Sequence, residues 1–251
     1  MGQYICGDKM VTHNHSIRNL IRGVGERVLY TDRNCTPCLT PVDNDIFDRR
    51  CGSFLRSVAK AVGRQSRVTY DQFVGYYSGR RHTIYANAAA GLVLKPVRPR
   101  DATLSTFIKA EKVNWSNKPD PAPRVIQPRN PRYNVELGRY LLPIEKKVYR
   151  AIDEAFGSPT IMSSYNSTEL ANVLYAKWSR FSQPVCVGMD ASRFDQHVSA
   201  TALKFEHGLY KNIFGKDKFL MQLLSWQINN RGFAKASDGW FSYSKKGSRM
   251  S

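Results

Sequence analysis

Chemistry first becomes visible in the segment PVCVGMDASRFDQHVS, residues 184–199. Val185, Val187 and Met189 alternate with Cys186, Gly188 and Asp190, the period of a β-strand. Asp190 therefore shares a face with a small thiol and a glycine. With the bulky side packed against helices, the aspartate side has room, and a carboxylate closing a strand is well placed to hold a hard cation such as Mg²⁺ through oxygen. The period breaks through Ala191 to Phe194, and a second carboxylate, Asp195, follows. Two aspartates at this spacing carry little weight alone, because helix caps and surface ion pairs produce it as well. A second candidate lies upstream in YYSGRRHTIY, where tyrosines flank Arg80 and Arg81. That mixture suits phosphate contacts and base stacking along a single strand. A plain basic face, with Tyr76, Tyr77 and Tyr85 packed together, is the alternative.

The elements that must carry these residues follow from periodicity and caps. Beyond the proline-rich run KPDPAPRVIQPRNPRYN, which is loop or edge strand, Pro143 predicts a first helical position, with Ile144, Val148, Ile152 and Ala155 at helical spacing. Asn166 with Glu169 predicts a capped helix start, and Leu170, Val173, Leu174, Trp178 and Phe181 form its expected buried stripe. Ser199 caps a further helix buried through Leu203, Phe205, Leu209, Tyr210 and Ile213. Leu220, Leu223, Leu224 and Ile228 mark another, before a hairpin turning at Asp238 and Gly239. The fold class expected is α+β.

The chain has 251 residues, of which 42% are hydrophobic, enough for a sizeable core in one large domain or two lobes. Its 38 lysines and arginines against 20 acids leave a net charge of +18, a field that attracts polyanions and makes nucleic acid the leading partner. The longest apolar run, Ala88 to Leu94, is far short of the ~18 residues of a membrane span. Five cysteines do not make a disulfide framework, and Cys35 with Cys38 is a lone CxxC whose spacing to Cys6, Cys51, His13 and His15 matches no zinc module; free thiols are expected.

Several blocks in order resemble the RNA-directed RNA polymerases of plant tombusviruses. DASRFDQHVS resembles their motif A, STFIKAEK followed by KPDPAPRVIQPRNPRYNVELGRYLLPIE resembles motif F, YYSGRRHTIY resembles an amino-terminal fingers segment, and the final GSRMS resembles the opening of motif B. The resemblance implies a right-hand polymerase fold, with fingers and the first part of the palm and without a thumb. Residues 1–184 would form an amino-terminal extension and fingers (motif F at about 107–132), 185–217 the motif A strand and helix of the palm, 218–246 a fingers insertion, and 247–251 the start of motif B.

The implied chemistry is nucleotidyl transfer in replication of a positive-strand RNA genome, assisted by two Mg²⁺ ions, with Mn²⁺ as a substitute. By resemblance, Asp190 is the catalytic metal ligand, joined by the backbone carbonyl of Ala191; Asp195 and Ser251 belong to ribose selection. Lys109, Lys112, Arg124 and Arg129 match positions that hold the triphosphate, Arg124 first because a guanidinium grips phosphate oxygens through two parallel bonds. Glu111 is expected to orient a basic neighbour, and Arg80 and Arg81 to contact template. Partners implied are single-stranded RNA template, nascent RNA, nucleoside triphosphates and viral replication proteins. The host membrane enters only indirectly, the expected location being cytoplasmic, membrane-associated replication complexes. No two aspartates are adjacent in the chain, so the Gly-Asp-Asp of motif C is missing. The expectation is therefore a polymerase fragment, inactive alone. A non-catalytic basic RNA-binding protein, or a truncated polymerase partner, is the alternative.

Overall fold

A computed structural model describes residues 10–30, 34–36, 45–116 and 119–247. The centre is a long helix, α5 (Pro131–Phe156), and its start and stop are both local. The Asn130 side chain accepts the Arg132 N–H at 2.9 Å, Pro131 takes the first helical position where no donor is missed, and Gly157 ends the helix at φ 66°, a left-handed conformation that favours glycine. Pro143 thus lies inside this helix rather than opening one, contrary to the sequence expectation. The physical reason lies outside the helix: the carbonyl of Arg139, which Pro143 cannot bond, accepts the N–H of Val68 at 3.0 Å.

Helices α2 (Ile46–Val62), α3 (Tyr70–Val74), α4 (Gly79–Leu94) and α9 (Lys218–Ser225) supply much of the rest of the core around α5. Phe73, Tyr133, Tyr140, Ile144, Leu220 and Leu223 are among its fully buried side chains. Arg139 and Glu136, both buried inside it, are paired. Arg139 donates to Val68 O at 2.7 Å and to Glu136 at 3.1 Å, and lies 3.9 Å above the Tyr70 ring, whose hydroxyl donates to Glu136 at 2.6 Å. Burial and this carboxylate push the Tyr70 phenol up to about 12.

The second layer is a four-stranded sheet in the order β4–β2–β5–β6, formed by β2 (Leu104–Ile108), β4 (Val125–Ile126), β5 (Asn229–Ala236) and β6 (Gly239–Lys246). Strands β2 and β5 run parallel; the other neighbours are antiparallel. The hairpin turns at Asp238, as its sequence predicts, and that side chain accepts the Ile17 N–H at 2.9 Å. One face of the sheet is covered by α1 (Ile17–Val24) and the π-helical turn Gly25–Leu29: Leu20 packs with Ile108, Ala234 and Ala236, and Val24 and Val28 with Val125. A small sheet pairs β1 (Met10–Val11) with β3 (Val113–Asn114).

The region from 158 to 199 departs from expectation. Helix α6 (Ser167–Trp178) has the capping box, Asn166 and Glu169 exchanging bonds of 2.8 and 2.9 Å, but buries no residue; Leu174, Trp178 and Phe181 face solvent. Residues 185–190 form no strand. No described strand lies beside them, and their bulky side is uncovered, with Met189 92% exposed. Alternation shows which residues can share a face, but a strand exists only where another chain segment takes its N–H and C=O groups. A single turn, α7 (Phe194–His197), leads to α8 (Ala200–Phe214), capped by Ser199 as expected (3.1 Å to the Ala202 N–H) and deeply buried only at Ile213 and Phe214.

Candidate functional site

The sheet end brings together Lys109 and Arg124, two basic residues of the segment that resembles motif F. The Lys109 N–H donates to Arg124 O at 2.8 Å, which continues the β2–β4 pairing by one residue. Between them Glu111 takes both cations: Lys109 Nζ and Arg124 each lie 3.1 Å from the same oxygen, Oε2. Glu111 thus contacts two basic neighbours, where an orienting role was expected of it. One carboxylate holding two cations leaves the cluster net positive, with Arg124 still exposed. Lys112 stands exposed at the end of the β2–β3 connection, immediately before β3.

Two arginines that sequence reading missed belong to the same neighbourhood. Arg27, in the π-helical turn, donates from Nε to Ala122 O at 3.1 Å, and its guanidinium pKa is lowered by burial first and then by repulsion from Arg193 and Arg124. Arg193, in a left-handed conformation at φ 52°, donates to the Glu26 carbonyl. Gln196 is buried and donates to the Tyr30 carbonyl. The Asp190–Asp195 loop is thereby fastened to the same short segment, 25–30, that touches the motif F loop. A separation of 166 residues between Arg27 and Arg193 leaves no periodic signal; repeated arginines beside the motifs were the only hint.

Asp190 and Ala191 are exposed, and Asp195 is half-buried in α7. Their oxygens have the hardness Mg²⁺ prefers, and that ion is commonly held by one or two carboxylates together with water and substrate phosphates. Among the described residues no three His, Cys, Asp or Glu side chains converge into a metal-binding group, Asp190 included. Cys35 and Cys51 are free and exposed, whereas Cys6 and Cys38 lie outside the described residues. Ser251 also lies outside them.

Arg129 has a different setting from the other motif F cations. It is 5% exposed, donates to Ala102 O and, at 2.5 Å, to Asn230 Oδ1, and lies 5.1 Å above the Tyr133 ring. Asn230 in turn donates to Gln227 O and Gly247 O, both at 2.8 Å. Arg129 thus fastens the end of the motif F-like segment to β5 and, through Asn230, to Gly247.

Arg80 and Arg81 occupy the first turn of α4, which holds no acid. Cations there oppose the helix dipole, while an anion would be favoured. Behind them Phe73, Tyr77 and Tyr85 pack as a ring cluster, Tyr77 and Tyr85 at 4.7 Å; Tyr76 is exposed. Arg81, Ile84, Tyr85, Arg100, Ser105 and Phe233 line an open hollow of about 780 Å³ whose lining contains no carboxylate. No described helix is long and apolar enough to cross a membrane.

Comparison with known proteins agrees with the family resemblance. The family model described as viral RNA dependent RNA polymerase matches residues 2–251. The chain is 46% identical over 243 residues to the RNA-directed RNA polymerase of Cucumber necrosis virus, covering 97% of this chain and 30% of that protein, and equally to that of Tomato bushy stunt virus (strain Cherry). It is 48% identical over 242 residues to the enzyme of Maize chlorotic mottle virus, covering 95% of this chain and 25% of the relative. The chain therefore spans less than a third of the length of these curated relatives. It belongs to the viral RNA-dependent RNA polymerases of the tombusvirus family.

Proposed function

We propose that these residues form the nucleotide- and template-binding part of an RNA-copying centre, with residues 1–184 and 218–246 acting as fingers and 185–217 opening the palm. The observation that carries this reading is the cation cluster organised by Glu111, fastened through segment 25–30 to the loop bearing Asp190 and Asp195. Arg124 and Lys109 grip the incoming triphosphate, Lys112 adds charge at its rim, and Arg27 and Arg193 raise the local potential. Holding Lys109 and Arg124 on one carboxylate fixes their geometry before substrate arrives, which reduces the ordering cost of binding. Asp195 hydrogen-bonds the ribose 2′-hydroxyl, a group DNA precursors lack. Arg129, already bonded within the fold, holds this arrangement in place.

Asp190 and the Ala191 carbonyl would hold a divalent cation, Mg²⁺ or Mn²⁺, which would supply charge neutralisation at a phosphate. No two aspartates are adjacent in these 251 residues, so a motif C carboxylate pair is not supplied here, and the chain alone does not extend a primer. Arg80, Arg81 and the hollow behind them hold template through phosphates and stacked bases.

The test is photocrosslinking of a nucleoside triphosphate to the purified chain, with peptide mapping and primer extension in parallel. Labelling within 109–124, lost in Arg124→Ala, together with no extension, is expected. Labelling elsewhere would refute the triphosphate assignment, and extension abolished by Asp190→Ala would refute the need for a further carboxylate pair. A second reading, a non-catalytic RNA-binding protein, is favoured by one observation, the exposure of Asp190, which among the described residues joins no group of three possible metal ligands. It requires salt-sensitive RNA binding with no triphosphate labelling.

A further inference from the structure

We propose that the outward face of the sheet is a stacking platform for single-stranded RNA, extending the Arg81 hollow away from the reaction centre. The proposal rests on the reading of that hollow as a template site. Alternation along β5 and β6 divides their side chains cleanly: the inward set packs towards α1, and the outward set is exposed. On β5 the outward residues include Arg231, Phe233 and Lys235; across the ladder, Ser244, Ser242 and Trp240 stand opposite them, with Lys246 at the strand end. On β2, Ser105 lies beside Phe233, and Phe107 points the same way. No outward position of these three strands is Asp or Glu.

Three large aromatic residues on this face are open to solvent, Phe107, Phe233 and Trp240, the last 65% exposed. The Phe233 and Trp240 rings are 5.6 Å apart at 33°, forming a shallow aromatic floor. Exposed aromatics on a sheet are apolar surface left unburied, yet here they are interleaved with cations. Among the described residues the Arg231, Lys235 and Lys246 side chains form no ion pair. An apolar protein partner would have to bury those charges. A polyanion with flat bases meets both features: phosphates with the cations, bases with the rings. Continuity is geometric, since Phe233 also lines the hollow that holds Arg81 and Tyr85. A strand leaving the hollow passes over Phe233 towards Trp240.

The test is fluorescence anisotropy of the purified chain with oligouridylates of about 4 and about 12 nucleotides, which bracket the usual site sizes of single-strand binding surfaces. Wild type is expected to bind the longer oligomer more tightly. Trp240→Ala should weaken the longer one roughly tenfold, the scale of one stacked base, and leave the shorter unchanged. Lys235→Gln with Lys246→Gln, both exposed, should lower the slope of log affinity against log salt by about 1.4, or 0.7 for each phosphate contact. Equal affinity for both lengths, or a longer oligomer indifferent to Trp240 and to the lysine pair, would overturn the platform. Arg80→Gln with Arg81→Gln separates the two readings. Weakening of both lengths by that pair alone would keep the hollow and remove the platform; loss at Trp240 and the lysines alone would keep the platform and remove the hollow.

Discussion

Around α5, Tyr133, Tyr140 and Ile144 sit in a core closed by α2, α4 and α9; from 174 to 189, Leu174, Tyr175, Trp178, Phe181, Val185, Val187 and Met189 face solvent. The two regions draw on the same apolar residue types. Burying one such side chain contributes roughly 1.5–3 kcal/mol, so the first region gathers most of what holds the fold and the second contributes little. Apolar content states how much a segment can bury; topology decides against what. The loop that resembles motif A accordingly keeps its place through polar contacts, Arg193 to Glu26 and Gln196 to Tyr30, rather than through packing.

Mutations can break this contrast. The largest effect is expected at Glu136→Ala, which leaves the Arg139 guanidinium without its buried carboxylate and should lower unfolding free energy by about 3–5 kcal/mol, measured by urea denaturation. Gly138→Ala comes next: a methyl there meets the Phe73 ring, and over-packing should remove about 1–3 kcal/mol, visible as a fall in Tm. Asn166→Ala removes the cap of α6 at a local cost of about 1 kcal/mol. Because α6 buries nothing, its amides should exchange faster while the global midpoint hardly moves. Smallest is Val187→Ser with Met189→Ser, expected to change stability by under about 0.5 kcal/mol while reducing binding of a hydrophobic dye. A large loss there would mean that this segment belongs to the core after all.

Sequence reading succeeded where the physics is local. The caps at Asn166 and Ser199, the buried leucines of α9 and the hairpin turn at Asp238 depend on neighbours within a few residues. It failed at Pro143, because the group that makes an internal proline tolerable, Val68 N–H, arrives from another part of the chain. The strand expected at 185–190 failed for the converse reason, since alternation was present without a partner. At the candidate site the motif F basic residues were legible by resemblance, and Glu111 stands where an orienting acid was expected. Arg27 and Arg193 were not legible, because only the folded chain brings them near Arg124.

Asn230 shows how narrow the alphabet becomes at such a junction. Its amide oxygen receives Arg129 while its nitrogen serves two carbonyls, those of Gln227 and Gly247, so only one way round satisfies all three neighbours. Aspartate, differing by a single heavy atom, would set oxygen against both carbonyls; leucine, of similar bulk, would answer none of the three. At position 230 the fold therefore reads a side chain letter by letter, one acceptor and two donors at a fixed reach, and among the twenty residues only asparagine spells it.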